Sequence, residues 1–156
     1  MKLTKVEATV EINKPVNEVF EYASDWRHWN EWREGLYDLK PTTNIERGNG
    51  ARYSYKAWAG GMKFNLETEI HSFKENDSWQ SIVQKGLPHK MQWMFEGKPG
   101  KTKVTNILEY SPPWFLIGPI LDFFILRRGW QKLLDKTLKN LKNYLEGSSE
   151  IKEQHI

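Results

Sequence analysis

Residues 6–20 read Val6-Glu7-Ala8-Thr9-Val10-Glu11-Ile12-Asn13-Lys14-Pro15-Val16-Asn17-Glu18-Val19-Phe20, and two different periods meet inside them. Val6, Ala8, Val10 and Ile12 alternate with Glu7, Thr9 and Glu11, the pattern of a half-buried strand. Pro15 then suits the first position of a helix, where its missing N–H costs nothing. Val16, Val19, Phe20 and Ala23 give that helix one apolar face.

Asp25 is placed to cap a second short helix. Trp26, Trp29 and Trp32 follow at spacing three and share one side of it. Their expected role is packing of the short helices. Residues 35–46 read as strand two, weakened or bent by Pro41. Residues 48–50, Gly-Asn-Gly, form a tight turn. The Tyr-rich residues 51–58 are strand three, and Gly60-Gly61 is a two-residue hairpin turn.

Met62, Phe64, Leu66, Thr68 and Ile70 alternate with Lys63, Asn65, Glu67 and Glu69 in the clearest strand of the chain. Asn76-Asp77 turns it into strand five, residues 78–84. The parity of strand five is ambiguous, because Trp79 and Ile82 fall on opposite faces. Gly86 and Pro88 break it. Met91, Trp93 and Phe95 mark strand six. Val104, Asn106, Leu108 and Tyr110 line one face of strand seven.

Pro112-Pro113 ends the sheet, and after Gly118-Pro119 the period becomes helical. Leu126, Trp130, Leu134, Leu138, Leu141 and Leu145 form a stripe, with Gln131, Lys132, Asp135, Lys136, Lys139, Asn140 and Asn143 opposite. This is a long amphipathic helix, with Gly147 as its expected C-cap. Residues 148–156 read as a polar, disordered tail. The expectation is one α+β domain over residues 1–147, a strongly curved antiparallel sheet gripping a C-terminal helix. Such a grip leaves a cavity between the two.

Composition narrows the function. The chain has 156 residues, no cysteine and a net charge of only +3 with both signs interspersed. Disulfides, thiolate metal sites and cysteine nucleophiles are excluded, and a cytoplasmic setting is expected. Nucleic-acid binding would call for a concentrated basic stripe, so no nucleic-acid partner is expected. The apolar stretch 114–126 is interrupted by Gly118, Pro119 and Asp122 and is shorter than the roughly 20 residues of a membrane span. Eight tryptophans serve either a core or a ligand pocket.

The opening motif, Val10 to Phe20 with the spaced Asp25, Trp29 and Trp32, resembles that of the polyketide cyclase/dehydrase and lipid-transport family, within the START-like, helix-grip superfamily. The resemblance covers residues 3–146. It implies a β-α-α-β6-α fold enclosing a cavity for a hydrophobic or amphipathic ligand. It carries over no universal catalytic residue. Pro15, Val19, Phe20, Asp25 and Trp32 match it as structural positions.

The candidate ligand-binding residues are those facing the last helix: Phe64, Leu66, Thr68, Met91, Trp93, Phe95, Asn106 and Leu108, with Tyr53 and Tyr55 joining them if strand three has that parity. Core filling is the plainer use of any one of them. Thr68 and Asn106 are the polar members, and a buried amide left unpaired costs about 1–3 kcal/mol. Trp114, Phe115, Leu121 and Phe124 extend the set. The segment 114–121 has too many apolar residues for one helix face. It reads as a gate, a transient membrane-surface contact, a dimer contact or packing under the sheet rim.

Enzyme signatures are sparse. His28, His71, His89 and His155 are scattered, without metal-ligand spacing, so no metal and no cofactor are expected. There is no nucleophile elbow. Residues 97–102 lack the glycine spacing of a phosphate loop and read as a hairpin turn. Asp38, His71 or Glu109 could act as a general acid or base only if turned inward, and parity turns His71 and Glu109 outward. Three functions stay open: sequestration of a lipid, quinone or polyketide-like molecule; a cyclase or dehydratase on a polyketide-like substrate; and a membrane- or protein-interaction module. The chain is expected as a monomer or homodimer.

Overall fold

A computed structural model of the chain describes residues 4–59, 62–111 and 119–154. Strand β1 (Thr4–Ile12) leads into helix α1 (Val16–Ser24), a 3-10 turn (Trp26–His28) and the short helix α2 (Trp29–Trp32). Strands β2 (Leu36–Pro41), β3 (Arg52–Ala59), β4 (Met62–Lys74), β5 (Ser78–Lys85), β6 (His89–Lys98) and β7 (Lys101–Tyr110) follow. Helix α3 (Pro119–Gln154) closes the chain. The strands form one antiparallel sheet in the order β1-β7-β6-β5-β4-β3-β2. This is the helix-grip fold that the alternating patterns predict.

Local chemistry explains the early elements. Pro15 stands at the N-cap of α1 with extended backbone, one position earlier than predicted. The Asp25 carboxylate accepts the Arg27 N–H at 3.0 Å, so it caps the 3-10 turn that runs into α2. Trp29 and Trp32 are buried, as core packing requires, while Trp26 is only partly so. Gly35 (φ +71°) makes a turn that no side chain would fit, because a Cβ there would lie 2.4 Å from the Trp58 carbonyl oxygen.

Register decides which side chains meet. In β1–β7–β6–β5 the pairs Ala8↔Asn106, Asn106↔Trp93 and Trp93↔Trp79 place four side chains in one row across the inner face. In β3–β4 the pairs Tyr53↔Thr68 and Tyr55↔Leu66 form the opposite wall. The β4–β5 ladder shifts register between Glu67 and Thr68 and again between His71 and Lys74. The unshifted pairing of Trp79 with Trp93 and of Ser81 with Met91 resolves the parity of β5. Trp79 and Ser81 turn inward and are buried.

Two predicted boundaries are corrected. Strand β2 ends at Pro41 and not near Glu46. Its register also shifts between Tyr37 and Lys40, where Asp38 has φ 54°. Helix α3 continues through Gly147 to Gln154, so Gly147 is not its C-cap. The predicted turn at Gly60-Gly61 lies outside the described residues.

Helix α3 lies across the inner face. Leu126, Trp130, Leu134, Leu138 and Leu141 are buried in the shared core. The helix also covers the edge strand β1, whose outward carbonyls would otherwise invite strand pairing. Gln131 Nε2 donates to the Glu7 carbonyl at 2.9 Å and Lys142 Nζ to the Glu11 carbonyl at 2.6 Å. At α2, the Glu34 N–H donates to Thr137 Oγ1 at 3.0 Å, and Asn140 Nδ2 donates to the Trp32 carbonyl at 3.2 Å. These bonds set how close α3 sits to the turn after α2. No described helix is long and apolar enough to cross a membrane.

Candidate functional site

The inner face of β3–β4 and β6–β7 meets α3 around a small cavity of about 40 Å3. Tyr55, Leu66, Met91, Trp93, Asn106 and Leu108 form its sheet side. Trp130, Leu133, Leu134 and Thr137 form its helix side, Arg33 and Glu34 enter from the turn after α2, and Leu36 from the start of β2. Six of the predicted ligand-binding residues are therefore brought to one place.

The other predicted residues lie elsewhere. Tyr53 is buried against Trp29, with ring centroids 4.9 Å apart, and its hydroxyl donates to the Glu46 carbonyl at 3.1 Å. Burial pushes that phenol up to about 12. Phe95 packs on Phe20 and Trp79 in the core. Phe64 is partly buried and stacks on Trp130 at 6.0 Å. Thr68 is buried but does not reach the cavity, and its hydroxyl has no partner among the described residues. Trp114 and Phe115, and the side chains of Leu121 and Phe124, lie outside the described residues.

The cavity wall is aromatic and aliphatic with a few polar atoms. Asn106 Nδ2 donates to the Gln92 carbonyl at 3.1 Å, while its Oδ1 is buried without a partner among the described residues. Trp130 Nε1 is buried and unpartnered in the same sense. The Arg33 guanidinium lies over the rings of Trp29 (4.8 Å), Tyr55 (5.5 Å) and Trp93 (6.0 Å). Glu34 is turned to the α3 side, 3.1 Å from Lys136 Nζ.

His89 also lines this cavity. Its Nδ1 lies 2.7 Å from the Leu87 carbonyl, so Nδ1 carries the proton and Nε2 holds the free lone pair. Burial is the largest influence on the imidazole and holds it below the usual histidine range. The Leu87 bond opposes that, and the Arg33 charge adds to it. The unfolded chain therefore binds this proton more readily than the folded one. Stability is full above the ordinary histidine value of 6.5 and falls as pH drops below it toward the folded-state pKa. The slope from this one proton is at most about 1.4 kcal/mol per pH unit. His89→Gln is expected to flatten the stability profile between pH 7 and pH 5, on the order of that slope. Urea unfolding across that range checks it, and an unchanged slope would disprove the assignment to His89.

Arg33 and His89 were not singled out by pattern. Arg33 sits in an aperiodic turn and carries no signal. His89 does carry one, since residues 89, 91, 93 and 95 alternate in step along β6 and the last three are buried. The groups first considered for acid–base work face outward. Asp38 is exposed and pairs with Lys56 at 3.1 Å, and His71 Nε2 lies 3.0 Å from Glu69. Glu109 is on the outer face of β7. A larger depression of about 720 Å3 near Asp25 and Glu75 is open and polar. Two of its carboxylates are already engaged, Asp25 by Arg27 and Glu75 by Arg47. The inner cavity is the better candidate. Among the described residues, no cluster of three or more His, Asp or Glu could hold a metal ion.

The fold and this geometry can be set beside known proteins. A model of the family described as polyketide cyclase / dehydrase and lipid transport matches residues 4–146. The chain belongs to that family. Solved structures show the same START-like helix-grip fold. TTHA0849 from Thermus thermophilus matches with TM-score 0.79 at 20% identity, over 94% of this chain and 99% of its own. A START superfamily protein from Mycobacterium smegmatis matches with TM-score 0.68 at 19% identity, over 94% and 97%. The Zhui aromatase/cyclase from Streptomyces sp. R1128 matches with TM-score 0.75 at 11% identity, over 93% and 94%. No curated protein matches significantly. At these identities the likeness is one of fold. Within this polyketide cyclase/dehydrase family member, the site rests on the side chains described above.

Proposed function

We propose that the chain binds a small hydrophobic or amphipathic molecule in the cavity between sheet and α3. One observation carries this reading. The cavity wall holds two buried polar atoms, Asn106 Oδ1 and Trp130 Nε1, with no partner among the described residues. Each such group costs about 1–3 kcal/mol unless something bonds to it. A ligand with one donor and one acceptor satisfies both, while its apolar body gains roughly 25 cal/mol per Å2 buried.

The cavity of about 40 Å3 is far below the roughly 300–1,000 Å3 of pockets that enclose a drug-sized ligand. Binding therefore displaces wall side chains. Trp130 and the partly buried Leu133, which line the cavity from α3, are the proposed movers. Sequestration follows when the wall closes again.

Native mass spectrometry of gently purified protein, followed by organic extraction, tests the reading. A stoichiometric lipid, quinone or polyketide-like molecule is expected. Protein that is reproducibly empty, and that also fails to bind apolar probes, would overturn it.

One observation favours catalysis as a second reading. His89 offers a neutral imidazole with its Nε2 lone pair free, and it lines the same cavity. That is the equipment of a general base for a cyclase- or dehydratase-type proton transfer. Loss of turnover in His89→Gln with ligand binding retained would support it. Equal turnover in both proteins would end it.

A further inference from the structure

Arg33 has the least satisfied charge at this site. Its half-buried guanidinium has no ion pair among the described residues. Its one polar contact there is Nη2 to Met91 Sδ at 3.9 Å, and three aromatic rings surround it. The nearby carboxylates are committed elsewhere. Glu34 pairs with Lys136, and Glu31 accepts from the Tyr22 hydroxyl at 2.5 Å and lies 3.3 Å from His28. A guanidinium taken part-way out of water without a counter-charge is unfavourable, and cation–π contacts offset only part of that. The rings also hold the planar fork in place, and that fork matches a carboxylate bidentately.

We propose that Arg33 is the anion anchor of the cavity, so that the molecule bound is an apolar body carrying one carboxylate or similarly compact oxyanion. This rests on the ligand-binding reading above and names the chemistry of the ligand. The carboxylate sits against the Arg33 fork, and the apolar body lies along Tyr55, Trp93 and Leu134. Trp29 and Trp93 shield the ion pair from water, which strengthens it. A fatty acid and an aromatic acid share this chemistry.

Two matched pairs of probes test it: cis-parinaric acid with its methyl ester, and naphthoic acid with its methyl ester. Binding is followed by quenching of, or energy transfer from, the tryptophans. The wild-type protein is expected to bind an acid about 10- to 100-fold more tightly than its ester, the size of a charge-assisted hydrogen-bonded pair. Arg33→Met is expected to erase that preference, so that acid and ester bind equally. Arg33→Lys, which keeps the charge and loses the fork, falls between. The arm that binds more tightly distinguishes a lipid from an aromatic ligand.

Equal affinity for acid and ester in the wild type would overturn the anchor and leave the binding reading standing. So would a preference that survives Arg33→Met. If Arg33→Met does not fold, the Arg33→Lys protein decides. It must lose part of the preference while still binding ester, and an undiminished preference overturns the proposal. If neither acids nor esters bind the wild type, the binding reading fails and the anchor fails with it.

Discussion

Trp93→Ala is expected to lower the free energy of unfolding by about 3–5 kcal/mol, the range for deleting a buried aromatic side chain. Trp93 is 1% exposed and packs against aromatic rings from two other elements. It stacks on Trp79 at 5.8 Å and meets Trp32 edge-on at 5.3 Å, so it joins β5, β6 and α2. Its ring is also one of the three beneath the Arg33 guanidinium. Removal leaves a void between sheet and helix that neighbours held in a hydrogen-bonded ladder can fill only partly. A domain of this kind has a total stability of about 5–15 kcal/mol, so the loss would bring it close to unfolding at ambient temperature. Urea denaturation of wild type and variant measures the loss. Trp58→Ala is the control, because Trp58 is 53% exposed, and its expected change is within about 0.5 kcal/mol. Similar losses for both would mean that the aromatic row across the sheet is not the centre of the core.

Leu134→Ala is expected to cost about 2–5 kcal/mol, and part of that loss should return on adding naphthalene. Leu134 is 1% exposed and lines the inner cavity, so truncation enlarges the space there. An apolar enlargement stays dry and takes up an apolar molecule. A probe held at about 100 times its dissociation constant restores roughly 2.7 kcal/mol by mass action. Leu141→Ala provides the comparison. Leu141 is equally buried on the same face of α3 but is not part of the cavity wall. It should lose similar stability and recover none. Unfolding curves of both variants with and without naphthalene decide the matter, and equal recovery would show that the cavity has no special capacity for a ligand.

Much of this architecture was legible in the chain because it depends on short-range periods. The alternation 62–70 in β4 and 104–110 in β7 records which side of each strand faces apolar surroundings, and the structure buries those sides. The stripe from Leu126 to Leu141 does the same for α3. Parity stayed open in β3 and β5. At β5 the pairing with β6, Trp79↔Trp93 and Ser81↔Met91, settles which face is inward, and no local pattern foretells it.

The candidate site was legible in part, for a related reason. Tyr55, Leu66, Met91, Trp93, Asn106 and Leu108 were found because an inward-facing strand position is visible in the alternation. Tyr53 and Phe95 share that parity yet lie outside the cavity, because inward describes a face and a cavity is a place on it. Arg33 is the clearest omission. It becomes part of the site because α2 carries the turn after Trp32 toward α3, where Thr137 and Asn140 bind that turn.

From sequence alone came the elements, their order, the buried face of most strands and the family likeness, since each is written in residues a few positions apart. The tertiary structure decided which of those faces meet, how small the space between them is, and that a cation and a neutral histidine border it. Those outcomes depend on ladder register and on the seat of α3 against β1 and the turn after α2. Both are set by hydrogen bonds between residues far apart in the chain, and the seat of α3 by bonds such as Gln131 to Glu7 and Asn140 to Trp32.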